Sequence, residues 1–282
     1  MTLANVLALA HEAKERHYCL GSFNAFNLET ARAAVDGAEA LHSPVVIAFA
    51  ASHLQYTDFE AAAEATRVLA ERASVPVALH LDHAETLDVV GRALRAGFTS
   101  VMFDGYGLSA EEKVRQTRSV TDIAHSIGVA VEAELGHITK VGVDETDRAQ
   151  LLIDADRIAE FVEATRVDIV AAAIGSVHGQ EEGTAKLDFG LLHRIQELSP
   201  CLLSLHGGSG MGATDIAAAR EAGVVKISYF TGLSRAATAA VQRELAGNPG
   251  IRVTELMQVV KDAMQGGVER QLRLFGSAGS VG

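Results

Sequence analysis

The chain has 282 residues, enough for one large domain or two small ones, and is 48% hydrophobic and 21% charged, the balance of a folded chain. A net charge of −12 leaves no basic stripe for nucleic-acid phosphates. No apolar stretch approaches the roughly 18 residues of a membrane span, so no membrane association is expected.

Acidity does not exclude a phosphorylated small molecule, because backbone amides and a metal ion can supply a local positive field. Residues 1–18 carry a short apolar patch without a basic leader, soon interrupted by His11, Glu12, Lys14, Glu15 and Arg16. The segment reads as an amphipathic helix rather than a signal peptide. Cys19 and Cys201 lie in apolar, strand-like runs and read as buried free thiols of a cytoplasmic protein.

Eight short apolar runs follow: Tyr18–Asn24, Val45–Ala50, Val77–Asp82, Ser100–Asp104, Val129–Glu134, Asp168–Ile174, Leu202–His206 and Val224–Tyr229. Between them lie segments of helical period. Leu28–Leu41 presents Ala31, Val35, Ala38 and Leu41, and Phe59–Ala73 presents Ala62, Ala65, Leu69 and Ala73. Leu87–Ala96 and Glu112–Ile127 repeat the pattern. Fully apolar strands alternating with one-faced helices predict βα units and a parallel sheet. Eight units predict an α/β fold of the (β/α)8 TIM-barrel type, a single domain over 1–275 with a flexible Gly/Ser-rich tail over 276–282. The alternative, a doubly wound open sheet, lacks support because no early Gly-x-Gly-x-x-Gly fingerprint is present. Pro44 and Pro76 stand just before strands, while Gly97, Gly128 and Gly223 fit helix C-caps leading into strands. Two long βα loops, from Gly136 to Leu151 and from Gly175 to Leu187, would lie at the catalytic face of a barrel.

Nearly every chemical candidate sits just past the end of one of these runs. His83, His178 and His206 follow three different strands, and three imidazoles converging on one rim would hold a Zn2+ ion with one position open. Asp82 beside them can exchange a proton with a substrate oxygen. Glu134, ending the fifth run, is a candidate fourth or alternate metal ligand. Asp104, ending the fourth, is a candidate for a second cation or for orienting a ligand. Gly207, Gly208 and Ser209 follow strand seven, where barrels often bind phosphate, and Ser228 and Thr231 would complete that cradle. His11, His17, His42, His53, His125 and His193 read as helix or loop residues without a role.

The order and spacing of these blocks identify a resemblance over almost the whole chain. Ser22-Phe23-Asn24, Asn27-Leu28-Glu29, His80-Leu81-Asp82-His83 and Ser100-Val101-Met102-Phe103-Asp104-Gly105 carry its first half. Val131-Glu132-Ala133-Glu134-Leu135-Gly136, Ala173-Ile174-Gly175-Ser176-Val177-His178-Gly179, Leu205-His206-Gly207-Gly208-Ser209-Gly210 and Lys226-Ile227-Ser228 carry its second. The chain resembles the class II, zinc-dependent ketose-bisphosphate aldolases. The resemblance implies an enzyme that reversibly cleaves a ketose 1-phosphate or 1,6-bisphosphate to dihydroxyacetone phosphate and an aldehyde. It implies zinc on His83, His178 and His206, with Glu134 touching the metal when substrate is absent. Asp82 then matches the acid of the aldehyde oxygen. Gly179, Gly207, Gly208 and Ser209 match the phosphate pocket, helped in some members by a monovalent cation (Na+ or K+), and Asn24 joins the substrate-binding set. A homodimer or homotetramer is a further implication.

The chain departs from the family pattern at Ser228, where asparagine is usual, and at Ala50 and Tyr106, where serine is frequent. Its mobile-loop segment carries Gly142 followed by Asp144 and Glu145, and Glu145 is the expected base for the donor proton. Three rivals are compatible with the sequence. A Schiff-base aldolase would use Lys226; a barrel metal hydrolase would need a His-x-His pair where Asn24 stands; a binder without turnover is suggested by the Ser228 and Ala50 changes.

Overall fold

The computed structural model describes residues 3–136, 138, 152–199 and 201–281. The eight apolar runs form β1 (Leu20–Asn24), β2 (Val45–Ala50), β3 (Val77–Ala84), β4 (Ser100–Phe103), β5 (Ala130–Leu135), β6 (Ile169–Ala172), β7 (Leu202–Leu205) and β8 (Val224–Tyr229). Every neighbouring pair is parallel, and β8 closes on β1, so the sheet is the expected closed barrel.

Ten helices occur among the described residues: α1 (Val6–Glu15), α2 (Leu28–Ala40), α3 (Phe59–Arg72), α4 (Leu87–Arg95), α5 (Ala110–Ser126), α6 (Ile158–Thr165), α7 (Phe189–Leu198), α8 (Ala213–Glu221), α9 (Thr231–Gly247) and α10 (Val253–Phe275). Their starts are written locally. Asn27, Asp58, Thr86, Ser109 and Asp188 each accept a first-turn N–H through the side chain, satisfying a donor that the helix itself leaves open. Gly97, Gly128 and Gly223 have φ of +81°, +75° and +76°, the left-handed conformation that stops the preceding helix and turns the chain into the next strand.

Alternation along each strand sorts the barrel into layers. Outward-facing Phe23, Ile47, Leu79, Val101, Val131, Val170, Leu203 and Ile227 pack against the helices in the main core. Inward at the N-terminal end of the strands, Leu20, Val46, Ala78, Ile169, Leu202 and Val225 meet Val6, Leu9, Ala10 and Ala13 of α1, which plugs the barrel floor. The opposite mouth carries the polar side chains.

Two expectations change. The segment after α10 is docked rather than frayed: Gly279 N–H donates to Leu41 O at 2.7 Å, Val281 N–H to His42 O at 2.9 Å, and Ser277 shares a 2.9 Å hydroxyl bond with Ser43. Composition favoured fraying, but these long-range bonds satisfy the backbone that a loose tail leaves to water. Cys19 is a buried free thiol, its pKa pushed up to about 12 by burial, whereas Cys201 is free but only half-buried.

Candidate functional site

The mouth of the barrel opens into a cavity of about 950 Å³ lined by Asn24, Asp82, His83, His178, His206 and Ser228, among others. The ends of β1, β3, β7 and β8 and the loop after β6 supply these residues, as expected for a parallel barrel.

Adjacent strand residues normally point to opposite faces, so Asp82 and His83 should not both reach one site. The register of β3 against β4 slips between Leu81 and Ala84, and His83 takes a left-handed φ of +55°. This bulge turns the His83 ring into the mouth while Asp82 stays inward. One nitrogen each from His83, His178 and His206 lies within 4.8 Å of the others. His83 Nε2 and His206 Nδ1 are only 3.0 Å apart, with ring centroids 4.7 Å apart, and the His178 ring lies 5.0 Å from that of His83.

The protonation states suit a cation. Burial, with the neighbouring His83 and His206, pushes His178 down to about 3, so its ring is neutral and offers a lone pair. Burial also opposes charge on His83, but Asp82, the hydrogen bond to Asp104 and the Glu134 carboxylate outweigh it and raise its pKa to about 9. Two rings so close, one holding a proton that the acids demand, form a set that a divalent ion replaces by displacing that proton. Three imidazoles fit zinc by donor type. A second group, His83, Asp104 and Glu134, also has ligand atoms within 4.8 Å of one another. Asp104 Oδ2 is 3.0 Å from His83 Nδ1 and Glu134 Oε2 is 3.9 Å from it. Glu134 Oε1 in turn accepts the Ile138 N–H at 3.0 Å.

Asp82 Oδ2 accepts the Asn24 amide N–H at 2.7 Å, while buried Oδ1 has no hydrogen-bond partner among the described residues. Burial drives a carboxyl pKa up, but His83 and His206 pull harder and hold Asp82 below its ordinary value. An ionised oxygen that accepts no hydrogen bond among the described residues is poised to take a substrate proton.

The glycine turn after β7 lies where the phosphate cradle was expected. Gly207 has φ +68°, and a Cβ on Gly208 would stand 2.7 Å from Ile227 Cγ2 and 2.8 Å from Ser228 O, so both positions require glycine. Residues 208–210 form a 3-10 turn, and Ser209 Oγ accepts the Gly232 N–H at 3.0 Å, tying this turn to the start of α9. Gly179 (φ +87°) accepts the Arg235 guanidinium through its carbonyl at 2.9 Å. Gly179, Gly207, Ser209, Ser228 and Thr231 all line the cavity, and no Lys or Arg does among the described residues.

The structure thus gathers Asn24, Asp82, His83, Asp104, Glu134, His178, Gly179, His206, Gly207, Ser209, Ser228 and Thr231 at one mouth, with Gly208 in the same turn. Glu145, with Asp144, lies outside the described residues. Sequence reading missed His53. It lines the cavity with its ring 5.0 Å from that of Phe230 and 6.1 Å from that of Phe26, and burial lowers its pKa. It follows β2 directly, which was the available signal. The Schiff-base rival fails on position. Lys226 is fully buried beneath the cavity, its Nζ 2.6 Å from Glu132 Oε2, so it presents no accessible amine.

No helix among the described residues is long and apolar enough to cross a membrane. The family model for fructose-bisphosphate aldolase class-II matches residues 4–280. The chain is 35% identical over 285 residues to the fructose-bisphosphate aldolase of Geobacillus stearothermophilus, covering 100% of this chain and 99% of that one. It is 34% identical over 280 residues to the uncharacterized protein YdjI of Escherichia coli (strain K12), covering 99% of both. The crystal structure of the YdjI aldolase superposes with a TM-score of 0.88 at 32% identity, covering 99% of this chain and 100% of that one.

Proposed function

Because this chain belongs to the class II fructose-bisphosphate aldolase family of aldehyde-lyases, we propose that it reversibly cleaves a ketose 1-phosphate or 1,6-bisphosphate to dihydroxyacetone phosphate and an aldehyde. The carrying observation is the convergence of three histidine nitrogens beside an ionised carboxylate oxygen that has no hydrogen-bond partner among the described residues. His83, His178 and His206 would hold zinc, with Glu134 as an alternate ligand and Asp104 on the far side of the His83 ring. Bound there, zinc supplies a Lewis acid for the charge that develops on the donor's oxygens.

The chain's own groups do the rest. In cleavage, Asp82 Oδ1 takes the proton of the hydroxyl on the acceptor carbon as the carbon–carbon bond breaks; in condensation it returns that proton to the aldehyde oxygen. Asn24 holds the other carboxylate oxygen and so fixes the direction of Oδ1. Elsewhere in the cavity the donor phosphate meets the backbone amides of the Gly207–Ser209 turn and the N-terminal end of α9 at Thr231. Amides suit this role because no basic side chain lines the cavity among the described residues. Gly179 and Ser228 complete the donor side, a monovalent cation can assist the phosphate, and Glu145 is the proposed base for the donor carbon. We further propose that the chain assembles as a homo-oligomer.

A condensation screen tests this. Dihydroxyacetone phosphate and unphosphorylated dihydroxyacetone are offered to several aldehydes, phosphorylated and not, with and without added zinc, sodium or potassium. Product from dihydroxyacetone phosphate, lost with a chelator and restored by zinc, is the expected result. Tight binding of the phosphate without turnover across the panel would make the protein a sugar-phosphate binder instead.

A further inference from the structure

Directly beneath the three histidines the barrel interior holds a second polar layer that the proposed chemistry leaves unused. His80 on β3, Ser100 on β4, Glu132 on β5, Ser204 on β7 and Lys226 on β8 are all 0% exposed. Their bonds form one connected set. Lys226 Nζ donates to Glu132 Oε2 at 2.6 Å and lies 3.4 Å from His80 Nε2, and His80 Nδ1 lies 2.9 Å from Ser100 Oγ. The other oxygen of Glu132, Oε1, accepts the Ser204 hydroxyl at 2.6 Å and lies 2.9 Å from His206 Nε2.

Every proton arrangement that satisfies these contacts places a proton on His206 Nε2, whichever ring holds the proton shared between His206 and His83. Glu132 Oε1 is a carboxylate oxygen and can only accept, so His206 carries a proton on Nε2, and its Nδ1, the atom free to bind a cation once the proton shared with His83 is displaced, faces His83 Nε2 3.0 Å away. His83 is arranged in the opposite sense, because its Nδ1 donates to Asp104 and its Nε2 faces the site. A buried charge without a partner is costly, and Lys226 is the cation that keeps the fully buried Glu132 ionised.

We propose that the buried Glu132–Lys226 pair is a positioning device that fixes His206 as the Nε2–H tautomer and so aims its Nδ1 at the metal. The inference rests on the three-histidine zinc site proposed above. Glu132 and Lys226 touch neither substrate nor metal; they act through His206.

The decisive variant is Glu132→Gln. Its amide has one acceptor and one donor end, and the Lys226 ammonium takes the acceptor. The NH2 group then faces His206 Nε2, which must accept, and the ring proton moves to Nδ1, the atom meant for the metal. Two readouts follow. Zinc affinity of the purified protein, measured by competition with a chromophoric chelator, should fall roughly tenfold to a hundredfold. Correlation spectra of 15N-histidine-labelled protein should show the zinc-loaded wild type with His206 protonated at Nε2 and metal-bound through Nδ1. The thermal midpoint of the zinc-free protein separates a folding defect from a tautomer defect, and the wild-type spectrum decides the matter even if the variant does not fold. Ser204→Ala, which leaves Glu132 charged and paired, should retain the wild-type tautomer.

Zinc coordination through His206 Nε2, or a folded Glu132→Gln protein with affinity within threefold of wild type, overturns this inference alone. A wild-type protein that takes up no zinc overturns the metal reading beneath it as well.

Discussion

The two ends of the barrel are built from the same eight strands and have opposite characters. At the floor, Leu20, Val46, Ala78, Ile169, Leu202 and Val225 close over the apolar face of α1 in a mainly hydrophobic cluster. At the mouth, a few residues further along the same strands, buried Asp82 Oδ1, Asp104 Oδ1 and Ser228 Oγ have no hydrogen-bond partner among the described residues. Buried polar groups without partners are destabilising, commonly by about 1–3 kcal/mol each. The floor supplies the stability that lets the mouth hold groups reserved for a ligand. Stability and chemistry are separated along the barrel axis, so substitutions at one end should leave the other largely intact.

Removing a ligand at the mouth is the harshest break of this separation. His178→Ala should abolish aldol turnover, a loss of roughly a thousandfold or more if zinc carries the charge stabilisation, with zinc content falling by atomic absorption. The thermal midpoint of the metal-free protein should stay near wild type. Asp82→Asn keeps shape and the neighbouring hydrogen bond but cannot take a proton. It should lower kcat roughly a hundredfold to ten-thousandfold while zinc remains bound; unchanged kcat would remove Asp82 from the chemistry.

Acidity should act on the mouth next. Metal-free His83 retains its proton up to about 9, and zinc requires the bare nitrogen. Zinc affinity is therefore greatest above that value and should fall about tenfold for each unit the pH drops below it, one proton being displaced per ion. Isothermal titration at several pH values measures the slope, and a flat profile would show that His83 is not a ligand. At the floor, Leu9→Ala should cost about 2–5 kcal/mol of unfolding free energy, read from denaturant midpoints. It should leave kcat/KM within about twofold of wild type. A large kinetic effect there would mean that the two ends are coupled.

Much of the fold was legible because its signals are local. Helical apolar spacing and glycines such as Gly97 depend on neighbours within one or two turns, and each reappears where the pattern put it. The strand-end histidines were legible for the same reason, since a parallel barrel brings every strand end to one rim. The direction of the His53 ring is not legible in sequence, because a three-residue 3-10 turn after β2 has no periodicity to show which way a ring faces. Composition does not record the bonds from the C-terminal segment to Leu41 and His42.

The sequence by itself determined the closed parallel barrel, the family, and the three imidazoles and one carboxylate gathered at its mouth. Tertiary structure decided how those groups face. The bulge that lets neighbours Asp82 and His83 share a site is a register slip against β4. The tautomer of His206 depends on Glu132, 74 positions away, and Glu132 on Lys226, 94 positions further along the chain. Periodicity reports which face of an element is buried; the direction of a lone pair depends on atoms that meet only once the barrel has closed.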